Sequence, residues 1–149
     1  MEHWAVKYVG REWKQNVYDC ASLFVEVQTE EFGKTISIPV DRTGLDFGAM
    51  SVEIDQRKFS FAERTDKPVE GDGVLLLNGR DLNHIGIYCV IGNIPHVLHN
   101  VVRKGVCIHK LREIDKYNFK VEGFYKLKDV TQGRDDNINS QQASAITSG

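Results

Sequence analysis

The sequence predicts an α+β fold: one helix near the N-terminus, followed by an antiparallel sheet of about five strands. Three observations carry this. Apolar residues between Asp19 and Gly33 recur at helical spacing, whereas from residue 69 onward they alternate or run in strand-length blocks. The connections between those later blocks are short and hold Asn78-Gly79, Gly92-Asn93 and Gly105, which suit hairpins. Helix first and meander afterwards means α+β, not a doubly wound sheet. The length of 149 residues suits one domain that buries roughly 70% of the surface its unfolded chain exposes.

Taken in order, the chain opens with a stretch ending in a loop, Gly10 to Tyr18. A helix follows, with Asp19 as N-cap and Gly33 as stop. Leu23, Phe24 and Val27 lie on one face of it. A polar connection with Pro39 leads to a weaker helix around Asp46 to Lys58, where Phe47, Met50 and Ile54 line up. Pro68 to Gly73 reads as a turn. Strands follow at Val74 to Leu77, Leu82 to Ile91, Val97 to Val102, Val106 to Leu111 and Glu122 to Lys128. Residues 1–128 thus form the domain. The segment 129–149 is rich in Gln, Asn, Ser, Asp and Gly, and reads as a disordered tail or one that orders only against a partner.

Composition excludes several classes of function. No apolar run approaches the roughly 18 residues of a membrane helix, and the start, Met1 to Lys7, lacks the basic-then-apolar pattern of a signal peptide. A soluble, unexported protein is expected. With a net charge of −2 and basic residues scattered, there is no footprint for nucleic acid. The cysteines, Cys20, Cys89 and Cys107, are three in number and have no paired spacing, which argues against a disulfide framework. No CxxC or HExxH pattern offers a metal site, and none is expected.

The residues able to carry chemistry are few. Cys20, in the first helical turn, would lie near unpaired backbone N–H groups and the positive end of the helix dipole, a setting that lowers a thiol pKa. The plainer reading is a core cysteine on the face of Leu23, Phe24 and Val27. Period two puts His84, Gly86 and Tyr88 on one face of their strand and Ile85, Ile87 and Cys89 on the other. Gly86 weakens a strand unless another group approaches closely there, and that is the reason to look at His84. One strand on, His99 or Asn100 could orient an imidazole; they point to opposite faces, so only one can. Cys89 and Cys107 read as core, and His3, His96 and His109 as surface residues.

In order along the chain stand Tyr8-Val9-Gly10-Arg11-Glu12-Trp13, Asp19-Cys20-Ala21-Ser22-Leu23-Phe24, Glu70-Gly71-Asp72 before an apolar strand, His84-Ile85-Gly86-Ile87-Tyr88, Leu98-His99 and Glu122-Gly123-Phe124-Tyr125-Lys126. Together they resemble the NlpC family of cell-wall cysteine peptidases, particularly the branch found in bacteriophage tail tips, over about Val6 to Leu127. The resemblance implies a papain-like core with Cys20 as nucleophile, His84 as general base and His99 as the residue orienting it. It also implies Tyr8 as an oxyanion donor and Asp19 as a binder of the stem-peptide amine. The family usually reads Asp-Cys-Ser-Gly where this chain has Ala21 and Ser22, and Ser22 is left to supply the missing hydroxyl. The interval from His84 to His99 is also longer than usual.

The resemblance further implies a thiolate mechanism without cofactor on peptidoglycan stem peptides, at a γ-D-glutamyl bond to a diamino acid. Cell-wall chemistry by an unexported chain needs a delivery device, and a virion tail is one. The tail tip is therefore the expected location, with other tail-tip proteins as partners through 129–149. Two alternatives remain: a tail-tip assembly component that keeps the fold with little or no hydrolysis, and zinc bound by Cys20, His84 and His99, a set lacking a fourth ligand.

Overall fold

The computed structural model describes residues 2–15, 17–34, 62–79 and 81–127. One helix, α1 (Cys20–Phe32), packs on a six-stranded antiparallel sheet: β1 (Ala62–Thr65), β2 (Gly73–Asn78), β3 (Asp81–Ile91), β4 (Ile94–Val101), β5 (Gly105–Lys110) and β6 (Phe119–Leu127). Spatial order is β1-β6-β2-β3-β4-β5. The α+β class is as the sequence predicts, with one strand more. Four-residue β1 is too short and too polar (Ala-Glu-Arg-Thr) to show a strand pattern, and forms by pairing with Thr65 opposite Phe124 on β6. The weaker helix at 46–58, with Phe47, Met50, Ile54 and Pro39 before it, and the tail 129–149 fall outside the described residues.

Helix α1 forms where its caps say it should. Asp19 is the N-cap, its carboxylate accepting from Ser22 N–H, and Gly33 ends the helix. Leu23, Phe24 and Val27 are buried on its sheet-facing side, each worth roughly 1.5–3 kcal/mol against the exposed state, more than the cap contributes. Strands β3 and β4 join through a two-residue hairpin in which Gly92 and Asn93 both have positive φ, 59° and 65°. Two 3-10 helices, Trp4–Tyr8 and Leu111–Tyr117, went unseen in the sequence because each is too short for a helical stripe.

The sheet has two covered faces. Toward α1 lie Leu75, Ile85, Ile87, Cys89, Leu98, Val106 and Tyr125, packed with Cys20, Leu23, Phe24 and Val27 and with Ala5 and Tyr8. The other face holds Val74, Leu76, Tyr88 and Val97 under Ile114 and Phe119. At the N-terminus, Glu70 accepts from Trp4 Nε1 at 3.1 Å and Val90 N–H at 2.8 Å, and lies 3.2 Å from His3 Nε2. On β5, Gly10 N–H donates to the Val106 carbonyl and Val106 N–H to the Arg11 carbonyl, both at 2.9 Å.

Gly86 is required by what stands opposite. A methyl at its Cβ position would come within 2.5 Å of Val97 Cγ2, 3.0 Å of the Leu98 carbonyl oxygen and 3.2 Å of His99 Cβ. Gly86→Ala should therefore destabilise the fold by about 1–3 kcal/mol, the usual cost of overpacking. Urea unfolding followed by circular dichroism checks this, and an unchanged midpoint would show that β3 and β4 are less closely opposed than described.

Candidate functional site

Cys20 opens α1 and is buried against the sheet's helix-side core. Its position at the helix N-terminus is the one the sequence predicts, and it is not in a disulfide. Of the groups expected around it, Asp19 and Ser22 share its helical turn and Tyr8 does not. Asp19 Oδ1 accepts both from Ser22 N–H (3.1 Å) and from Ser22 Oγ–H (3.0 Å), so Asp19 and Ser22 close the cap on one another. The Tyr8 hydroxyl stands 2.7 Å from Glu30 Oε1 and 2.8 Å from Glu31 Oε2. Glu30 is ten residues beyond Cys20, or about 15 Å along the helix axis. Tyr8 thus sits at the far end of α1 from the thiol, where burial and the two carboxylates raise its pKa. As described, it is no oxyanion donor to Cys20.

Nearer the thiol in sequence, Tyr18 O–H donates to Glu26 Oε1 at 2.6 Å. Arg11 Nη1 donates to Glu26 Oε2 at 2.7 Å and to the Tyr18 hydroxyl at 3.1 Å. Burial and the Glu26 carboxylate push the Tyr18 phenol up to about 12. Asn100 reaches this side too, its Nδ2 donating to the Tyr18 carbonyl at 2.9 Å while its Oδ1 is buried with no hydrogen-bond partner among the described residues.

The imidazoles gather on the opposite face. His84 Nε2 and His99 Nδ1 share a hydrogen bond at 2.8 Å, and His99 Nε2 and His109 Nδ1 share another at 3.0 Å. Phe119 stacks on His84 with ring centres 4.7 Å apart, and Tyr117 stacks on His109 at 3.6 Å. Burial drives the His84 pKa down to about 3. Burial, with repulsion from a charged His84 or His109, lowers that of His99, and burial followed by the Lys104 charge lowers that of His109. The three imidazoles are therefore neutral near pH 7. A cleft of about 200 Å³, lined by Asn78, His84, Lys104, Tyr117, Asn118 and Phe119 among others, opens beside them.

The expected residues are thus brought together only in part. His84 and His99 meet, whereas Asn100 bonds the Tyr18 carbonyl on the other face. Cys20 does not join them: Ile85, Ile87 and Leu98 face the thiol's core, so the intervening strand residues His84 and His99 face away, and the sheet stands between. The zinc set of Cys20, His84 and His99 is likewise not assembled. The sequence reading placed His109 on the surface and Cys107 in the core, but both are half-buried beside His99. The signal was available. The short β4–β5 connection pairs His99 with Cys107, and period two then puts His109 on the same face. Comparison with known protein families gave no match, and a search of curated proteins found no relative.

Neutral buried imidazoles make stability depend on pH. Below about pH 6.5 the unfolded chain takes up protons at these histidines and the folded chain does not, so stability falls as pH falls, by up to about 1.4 kcal/mol per pH unit per imidazole. For His84 the loss continues down to about pH 3. Urea midpoints between pH 7 and 5.5, above most carboxylate titration, should fall on acidification. The slope should be shallower in His84→Leu, and equal slopes would mean that His84 takes up its proton in the folded state.

Proposed function

We propose that this chain is a bacteriophage tail-tip component built on an NlpC-type core, acting chiefly in assembly and with little or no hydrolysis by Cys20. The tail-tip setting rests on the resemblance in the segments around Asp19-Cys20 and His84 to Tyr88. The observation that carries the choice of role is the sheet between thiol and imidazoles. A cysteine nucleophile needs its base within hydrogen-bond reach, and His84 is instead bonded to His99 on the other face. Asp19 and Ser22, expected at the substrate, bond each other at the helix cap, and the Tyr8 hydroxyl bonds Glu30 and Glu31.

A second reading, the cell-wall cysteine endopeptidase, is favoured by two particular features. The helix N-terminus presents Cys20 to the positive end of a dipole, and the His84–His99 bond is that of a base with its orienting partner. In that reading Cys20, its proton passed to His84, would attack a stem-peptide carbonyl and His84 would protonate the leaving amine, which requires thiol and imidazole on one side of the sheet.

Release of new amino groups from purified peptidoglycan separates the two. The assembly role predicts equal background release by the wild type and Cys20→Ala, both folded and reduced. Turnover in the wild type that drops by about 10²-fold or more in Cys20→Ala would overturn it in favour of the peptidase.

A further inference from the structure

We propose that His99, Cys107 and His109 form a binding site for a borderline-soft transition-metal ion, with zinc as the ion that fits the donor set. This holds whether or not the chain hydrolyses peptidoglycan. The ligand atoms of the three residues all lie within 4.8 Å of one another. Two imidazole nitrogens and one thiolate are the ligand types zinc takes in four-coordinate sites. His99 and Cys107 are cross-strand partners on β4 and β5, and His109 follows Cys107 on the same face, so the backbone ladder fixes all three.

The spacing is close to what the ion needs. His99 Nε2 and His109 Nδ1 are 3.0 Å apart, and two nitrogens each ~2.0–2.1 Å from a tetrahedral zinc stand about 3.3 Å apart. An ion entering there takes the place of the proton on His109 Nδ1, which passes through solvent to Nε2 of the same ring, and the pair opens by a few tenths of an ångström. His99 Nδ1–H then donates to His84 Nε2 at 2.8 Å, which holds the tautomer with Nε2 free for the metal. Ligating histidines commonly have such a partner on the other ring nitrogen. The stack of Tyr117 on His109 fixes the outer ring in the same way.

The site is also reachable. His99 is fully buried, but Cys107 and His109 are only partly buried on the outer strand of the sheet, which gives an ion an entry path and leaves a fourth position for water or a partner's side chain. Binding releases the Cys107 thiol proton to solvent as the metal–sulfur bond forms. Burial raises the pKa of the Cys107 thiol, and the nearby Lys104 charge opposes that rise.

The test uses the full 149-residue chain, stripped with a chelator and titrated with Co²⁺ and then Zn²⁺. The expected result is one equivalent of Co²⁺, with a near-ultraviolet sulfur-to-cobalt band and the intense visible bands of four-coordination, all displaced by Zn²⁺. Cys107→Ser should abolish the sulfur band, Cys20→Ala should keep it, and His109→Asn should weaken Zn²⁺ binding at least about tenfold. Zn²⁺ should also protect Cys107 of the wild type from alkylation, mapped by mass spectrometry, which reads the same ligand without a substitution. Absence of stoichiometric binding, a cobalt spectrum without the sulfur band, or undiminished Cys107 alkylation would overturn the site.

Discussion

The structure depends on the alternation of β3. Successive side chains of a strand point to opposite faces, so Ile85, Ile87 and Cys89 pack toward α1 and His84, Gly86 and Tyr88 pack away from it. A slip of one residue would exchange the sets, bringing a histidine and a glycine under the helix in place of isoleucines each worth roughly 1.5–3 kcal/mol when buried. That difference pins the register. It also turns the sheet into a partition, with a thiol at a helix terminus on one side and a row of imidazoles on the other. β4 repeats the division, with Asn100 serving the Tyr18 carbonyl on the helix side and His99 serving His84 across from it.

The two faces differ in their electrostatics as well. On the helix side, polar contacts at the rim pair a phenol with carboxylates and cations: Tyr18 with Glu26 and Arg11, and Tyr8 with Glu30 and Glu31 beside Lys7. The imidazole row is built from uncharged groups between two aromatic rings, Phe119 and Tyr117. Among the described residues its members bond to one another and not to a carboxylate, a set of electron-pair donors suited to a cation and poorly suited to holding a proton.

Much of the fold was legible because it rests on short-range rules. Asp19 and Gly33 bounded α1 to the residue, and the five longer strands were found through their period and their turns. The close approach that Gly86 demanded is there, made by Val97 and His99. β1 and the insertion of β6 between β1 and β2 were not legible, since a four-residue polar strand carries no periodicity and strand order is a long-range property. The site was harder. Motif order suggested which residues matter but said nothing of which side of a sheet each would occupy relative to the helix. Period two separates His84 from Ile85, yet the resemblance groups Cys20 with the imidazoles, whereas the core it enters is that of Ile85 and Ile87. Cys107 and His109 were missed because each was judged alone and not by its cross-strand partner.

The hydrogen bonds between the N-terminal segment and β5 have a consequence for how copies of this protein meet. β5 is the outer strand of the sheet, and an open outer strand is a template onto which another chain can add by β-pairing. At Val106 both backbone groups are already taken, by Gly10 N–H and the Arg11 carbonyl. Gly105 carries no side chain where a Cβ would meet that same carbonyl oxygen at 2.5 Å. The segment before α1 is therefore a stopper as well as a cover for the core: at Val106 it occupies the place a strand from a second molecule would take on the β5 edge.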